Sequence, residues 1–252
     1  MHRPWRIRGR RIALLPTKRD LNEIGGLAVK HRVRTVLVLL VGIWPASRIK
    51  VQLLRVLGWQ VGKGGSVGPG LYFAIDSVVL GENARIGPFN VFKGLAAVEV
   101  DDFGRIGQWN WLSAASPLRA AGAPGTVSIG RHSALTSRHY IDASGGISIG
   151  HHTTVAGVRS TFITHGIDWR TSSQTYRSIT IGDYSLISSN VQITPGSQIG
   201  SRVVVGMGAT VAGSLSDGGL LVQERAREVK ENLQGDYFKR DVGFIDYVRG
   251  LR

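Results

Sequence analysis

Cut into sixes from Ile181, the chain reads IGDYSL, ISSNVQ, ITPGSQ, IGSRVV, VGMGAT and VAGSLS, six consecutive hexads with an aliphatic residue in first place. The same cut gives LGENAR-IGPFNV from Leu80, VDDFGR-IGQWNW from Val100 and IGRHSA-LTSRHY-IDASGG from Ile129, with Ile147 next in phase. The phase then shifts by two and runs IGHHTT-VAGVRS-TFITHG from Ile149. A helix of 3.6 residues per turn does not keep every sixth residue on one face, and plain strand alternation repeats every second residue. A period of six suits short strands joined by tight bends, each sending one aliphatic side chain inward, with Gly or Asn where a bend needs unusual dihedrals. Stacked coils of this kind bury a continuous inner ladder, and each touches only its neighbours. The periodicity leaves the hand of the coil open. It divides the chain into residues 1–59, a repeat domain over 60–215 and an extension over 216–252.

The first segment has a different pattern. Residues 35–47, TVLVLLVGIWPAS, form an apolar run shorter than the ~20 residues a membrane-spanning helix needs, and it lies too far into the chain for a cleaved signal peptide. In RIKVQLLRVLGW (48–59) Ile49, Leu53, Leu54 and Leu57 fall at helical spacing, with Lys50 and Arg55 on other faces. We expect a helical cap over the end of the repeat domain. Residues 223–233, QERAREVKENL, read as a solvent-faced helix, and Tyr237, Phe238, Phe244, Ile245 and Tyr247 as a patch that packs on the repeat domain or a neighbour.

Charge sharpens this division. The net charge is +14; residues 1–59 hold 13 Lys/Arg against 2 Asp/Glu, and the remaining 193 residues hold 18 against 15. A basic amphipathic segment fits an anionic membrane surface. It lacks interleaved stacking residues and any nucleic-acid-binding motif, which argues against nucleic acid. The absence of cysteine excludes disulfides, thiol nucleophiles and Cys-ligated zinc, and favours a cytoplasmic protein, soluble or peripheral at the inner face of the membrane.

The repeat breaks at 161–170, TFITHGIDWR, a polar excursion that places His165 and, three residues on, Asp168 outside the rhythm. The hexads resemble those of the hexapeptide-repeat acyltransferases. More narrowly, LTSRHYIDASGGISIGHHTTVAGVRSTFITHGIDW and SITIGDYSLISSNVQITPGSQIGSRVVVGMGATVAGSL are similar to the acetyltransferases of surface-polysaccharide and exopolysaccharide pathways, relatives of the maltose and galactoside O-acetyltransferases. The resemblance implies an all-β fold, a left-handed parallel β-helix with an N-terminal helical segment and a short C-terminal helical extension. It implies a homotrimer that binds acetyl-CoA and a sugar acceptor between subunits, with no metal, and His165 as general base. A sugar hydroxyl is a weak nucleophile near neutral pH, where an imidazole is an available base.

The same resemblance places Arg138 and His139 on the acceptor side. It places Ser188, Ser189, Gly208 and Ala209 along the pantetheine arm, where small residues let an extended thioester approach the backbone. Asp168 either sets the imidazole tautomer, binds a sugar hydroxyl or caps the loop; Asp142 orients a neighbour or closes a turn, and the turn is the favoured reading. His2, His31, His132, His151 and His152 read as surface positions. Two departures bear on the donor site: Leu186-Ile187-Ser188 stands where the maltose and galactoside enzymes have Trp-Ile-Gly, and LLVQERAREV replaces their Gly-x-Pro-Ala turn. Two other classes remain in view: a zinc-dependent carbonic anhydrase of the same fold, built from His139, His151, His152 and His165, and a non-catalytic scaffold at the membrane surface.

Overall fold

The computed structural model describes residues 32–224 together with 228–229, 231–232, 234–239 and 241. The basic stretch 1–31 with His2 and His31, and the aromatic positions Phe244, Ile245 and Tyr247, lie outside the described residues. The fold is an all-β, left-handed parallel β-helix with three sheets as its faces, two of eight strands and one of seven. Every pairing within these faces is parallel and joins one coil to the next. The only antiparallel pair among the described residues is a hairpin, His165–Asp168 with Ser173–Tyr176.

Each face carries one inward ladder; the first two fall on the hexad positions of the sequence, and the third does so except at Tyr72, which precedes the first hexad, and at Phe162, one residue past the hexad position Thr161. On the first face Leu80, Val100, Ile129, Ile149, Ile181 and Ile199 pair in register. On the second, Ile86, Ile106, Leu135, Val155, Ile187 and Val205 do the same. On the third the ladder runs Tyr72, Phe92, Leu112, Ile141, Phe162, Ile193 and Val211. All of these side chains are buried, and together they form the core.

Where a glycine follows the aliphatic residue, it has a reason other than the expected bend. Gly130 does not lie in the left-handed region; a Cβ there would fall 2.6 Å from the carbonyl carbon and oxygen of Gly150, one coil on. Gly62, Gly68 and Gly87 meet the following coil in the same way. Glycine is needed because two backbones stack in contact. Gly130→Ala is expected to cost about 1–3 kcal/mol in equilibrium denaturation, the ordinary range for overpacking; unchanged stability would mean that the coils separate freely.

The bends themselves hold bulky residues. Phe103, His132, His152 and Tyr184 all have φ between 54° and 57°, a conformation costing roughly 1–2 kcal/mol per residue outside glycine. Their rings stack in one exposed column, with centroids 4.8, 5.1 and 4.8 Å apart, which offsets part of that strain. Polar side chains line two other columns and satisfy the backbone between coils: Ser133, Thr153 and Ser185 in one, and Asn90, Asn110, His139 and Ser160 in the other.

Two helices cap the first coil: α1, described over residues 32–42, and α2 (Arg48–Val56), which starts at the Ser47 N-cap and packs on strands Gln60–Val61 and Ser66–Val67. The buried side of α2 is Lys50, Val51 and Leu54, not the expected Ile49, which is exposed. Lys50 lies inside because its ammonium donates to the carbonyls of Gly42, Trp44 and Gly68 at 2.7–2.8 Å; burial lowers its pKa to about 8. A short helix, α3 (Ser116–Ala120), bulges from the corner between the third and first faces. The described part of 223–233 is not helical, and Phe238 is largely exposed. Among the described residues no helix is long and apolar enough to cross a membrane.

Candidate active site

The hairpin leaves the same corner two coils after α3, and His165 stands at its base. The turn begins after strand Thr161–Ile163, which is paired with Tyr140–Asp142 of the preceding coil, Asp142 opposite Ile163. That register brings the Asp142 carboxylate beneath residues 164 and 165. Thr164 is buried, and its N–H and hydroxyl both donate to Asp142 Oδ2, at 3.0 and 2.9 Å. Ser144 Oγ donates to Oδ1 at 2.6 Å and in turn accepts the N–H of Ala115, ahead of α3. His165 Nδ1 lies 2.7 Å from Asp142 Oδ2.

Burial pushes the Asp142 carboxyl up, but the hydrogen bonds from Ser144, His165 and Thr164 outweigh it and hold the group below the usual carboxylate range. Asp142 is therefore an anion near neutral pH, with acceptor capacity only. His165 must donate its Nδ1 proton to it, which leaves Nε2 as the unprotonated nitrogen of the neutral ring. The His165 side chain keeps 35% of its exposure while that of Asp142 keeps 6%, so a solvent-reachable base rests on a buried anion.

Of the two readings of Asp142 the less favoured one holds: it orients a neighbour, His165, rather than only closing a turn. Asp168 does not fill that place: its Oδ1 caps the hairpin by accepting the N–H of Arg170 at 2.9 Å. His139 is also corrected. Only 2% exposed, it accepts the Ser160 N–H at Nδ1 (3.1 Å) and contacts Thr136 Oγ1 through Nε2 (3.1 Å), so neither ring nitrogen faces a substrate. Burial lowers its pKa to about 4. Arg138 is exposed at a left-handed bend with φ 57°.

The structure separates the two groups of candidates. Arg138, Ser188, Ser189, Gly208 and Ala209 lie at the corner between the second and third faces, and His165 at the corner between the third and first. Ser188 and Ser189 are half-buried; Ser189 Oγ accepts the Val158 N–H at 3.3 Å. Gly208 has φ 77°. Ala209 is a core residue whose N–H and carbonyl are both used within the coil stack, so it has no group left for a ligand. Ser144 and Thr164 escaped the sequence reading. Their signal was their place beside Asp142 and His165, on adjacent coils, which becomes informative only once register is known.

Among the described residues no three His, Asp or Glu side chains converge to hold a metal. Of the histidines considered for an anhydrase, His151 and His152 share the corner between the first and second faces, where His152 stacks in the aromatic column and His151 Nδ1 accepts the Arg131 N–H, while His139 and His165 lie at the other two corners.

Among solved structures, the fold is similar to a hexapeptide-repeat-containing acetyltransferase of Vibrio cholerae O1 biovar eltor complexed with acetyl coenzyme A, at 19% identity and TM-score 0.43, covering 78% of this chain and 83% of that one. It is similar to the polysialic acid O-acetyltransferase OatWY at 14% identity and TM-score 0.42, covering 69% and 94%. The polySia-specific acetyltransferase NeuO matches at 16% and 0.37, covering 69% and 86%. No curated relative matches the sequence. Residues 178–213 match the model of the bacterial transferase hexapeptide, six repeats, so the chain carries that family's hexapeptide repeat on a left-handed parallel β-helix.

Proposed function

We propose that the protein is an acetyl-CoA-dependent O-acetyltransferase that modifies a sugar hydroxyl in surface-polysaccharide or exopolysaccharide assembly, with His165 as general base. The observation that carries this reading is the 2.7 Å bond between His165 Nδ1 and the ionised Asp142, which aims the basic Nε2 away from the core. In the reaction, Nε2 takes the acceptor's hydroxyl proton as the oxygen attacks the thioester carbonyl. The carbon–sulfur bond breaks, and the imidazolium returns its proton to the departing thiolate, so one acetyl ester and one free CoA are formed. Asp142 stabilises the imidazolium while the reaction passes through it. The matching bacterial transferase hexapeptide over 178–213 supports the reaction class.

The pantetheine arm is assigned to the corner of Ser188, Ser189 and Gly208. Because that corner is a face away from His165 within one chain, donor and base meet when the corner of one subunit faces the hairpin base of the next, as in a homotrimer.

The test follows CoA release from acetyl-CoA against a panel of nucleotide sugars and oligosaccharides. His165→Ala is expected to lower acceptor-dependent release by about 10²- to 10⁴-fold while acetyl-CoA still raises the thermal unfolding midpoint. Equal turnover in wild type and variant would remove His165 from the chemistry. A wild-type protein that neither binds nor turns over acetyl-CoA would end the acetyltransferase reading.

A further inference from the structure

Helix α1 has two apolar sides, and the fold uses one. Val38 is buried against the first coil, with Val41 packed beside it. Val33, Val36, Leu37 and Leu40, at i, i+3, i+4 and i+7, form a second stripe that is exposed, and it continues into exposed Ile43 and Trp44. The helix does not leave this stripe outward by being loose. Arg34 donates to the carbonyls of Leu57, Ile75 and Asp76 at 2.7, 3.2 and 3.1 Å, and Lys50 holds the carbonyls of Gly42 and Trp44 from within. Gly42 packs so close that a Cβ would lie 3.0 Å from the Gly70 carbonyl.

Charge says what covers the stripe. Residues 32–59 hold five Lys/Arg and no Asp/Glu. Arg34 and Lys50 are turned to the fold and Arg55 donates to the carbonyls of Val61 and Gly62, which leaves Arg32 and Arg48 exposed at the same end, and residues 1–31 add eight Lys/Arg against two Asp/Glu. A protein partner with a matching apolar groove would need no such excess of one sign. A lipid surface does: apolar side chains enter the acyl boundary, a tryptophan sits at headgroup depth, and cations face anionic headgroups. The described length of α1, eleven residues or about 16 Å, is too short to span a bilayer and suited to lying in its surface.

We propose that the first-coil end of the β-helix docks on an anionic membrane, with the Val33–Trp44 stripe inserted at the interface and the exposed arginines on the headgroups. The proposal is independent of the acetyltransferase reading and survives its failure.

The experiment floats the full-length protein with vesicles of phosphatidylcholine alone or mixed with phosphatidylglycerol. Wild type is expected to partition to the anionic vesicles, less so as salt is raised. Val36→Asp with Leu40→Asp is expected to lower that partition by at least about tenfold, with an unchanged thermal midpoint because both sites are exposed. Arg32→Glu with Arg48→Glu is expected to lower it in a salt-dependent way. Three results would overturn the proposal: absence of flotation, an aspartate variant that floats like wild type, or a lipid-free wild type whose sedimenting mass falls when the stripe is charged. The last outcome would mean that a second copy covers the stripe.

Discussion

An Asp142→Asn protein is expected to lose about 10²- to 10⁴-fold in acceptor-dependent turnover, close to the loss from removing His165 itself. The reason lies in how the carboxylate is used. Its Oδ1 accepts from Ser144 and its Oδ2 from both Thr164 donors and from His165 Nδ1. An amide offers one acceptor oxygen and one donor nitrogen. With the nitrogen at the Oδ2 position, His165 gains hydrogen-bonding by accepting at Nδ1, which moves the ring proton to Nε2 and abolishes the base. With the amide turned round, the nitrogen faces the Ser144 donors, and an N–H is left in conflict inside the fold, at a cost of about 1–3 kcal/mol.

Both measurements are needed to read the variant. Turnover at saturating acetyl-CoA gives the chemical effect, and the unfolding free energy gives the structural one. Because the two residues act as a unit, the His165→Ala, Asp142→Asn double variant is expected to be scarcely worse than either single one. Turnover within a few-fold of wild type would show that Asp142 is only a corner residue. Multiplicative losses in the double variant would show that the two groups act separately.

The second large effect is on stability. His139 is expected to make the wild-type fold lose roughly 3 kcal/mol as the pH falls from 6.5 to 4. Burial holds its folded pKa at about 4 against the ordinary imidazole value of 6.5. In that window the unfolded chain takes up a proton that the folded chain refuses, so stability falls as the pH falls; above 6.5 both states are neutral and the contribution vanishes. The geometry gives the same sign, since Nδ1 already accepts the Ser160 N–H and a proton there would face another donor. Asp142, with its depressed pKa, loses its contribution only on further acidification, below the ordinary carboxylate value and so beneath this window.

His139→Asn isolates the first contribution. Asn90 and Asn110 occupy the equivalent places on earlier coils; in each, Oδ1 accepts the N–H of the next coil and Nδ2 donates to a carbonyl, that of Gly107 or Thr136. An asparagine at 139 has the same partners to hand, the Ser160 N–H and the Gly157 carbonyl. The variant is expected to fold, and to lack the histidine-linked part of the slope between pH 6.5 and 4 in urea titrations at several pH values. A slope equal to that of wild type would place the acid sensitivity elsewhere.

The β-helix was legible because its period is a covalent fact: an aliphatic residue every sixth position can be buried by stacked coils and by little else. Two of the three ladders fall wholly on the hexad positions, and the third departs from them only at Tyr72 and Phe162. The exceptional place of His165 was legible for the same reason, as the point where the period stops. Register among the coils was not legible. Asp142 and His165 are 23 residues apart, and nothing local distinguishes a carboxylate that closes a turn from one that carries a histidine. Only the pairing of Asp142 with Ile163 puts them in contact. His139 failed in the opposite direction: the resemblance placed it on the acceptor side, while its side-chain direction at a coil corner put it in a ladder of buried hydrogen bonds. The polar spacing of residues 48–59 likewise suggested an outward Lys50, which the carbonyls of α1 and the first coil draw in.

The sequence by itself determined the coil, because burial of a periodic apolar row depends on spacing along the chain. It also set aside one histidine, because a break in spacing is visible along the chain. The tertiary structure decided which carboxylate serves that histidine, which glycines answer to stacking rather than to bends, and which side of α1 remains uncovered. Those depend on which groups of neighbouring coils and helices come within hydrogen-bonding or van der Waals distance, and that distance is set only when the chain has closed on itself.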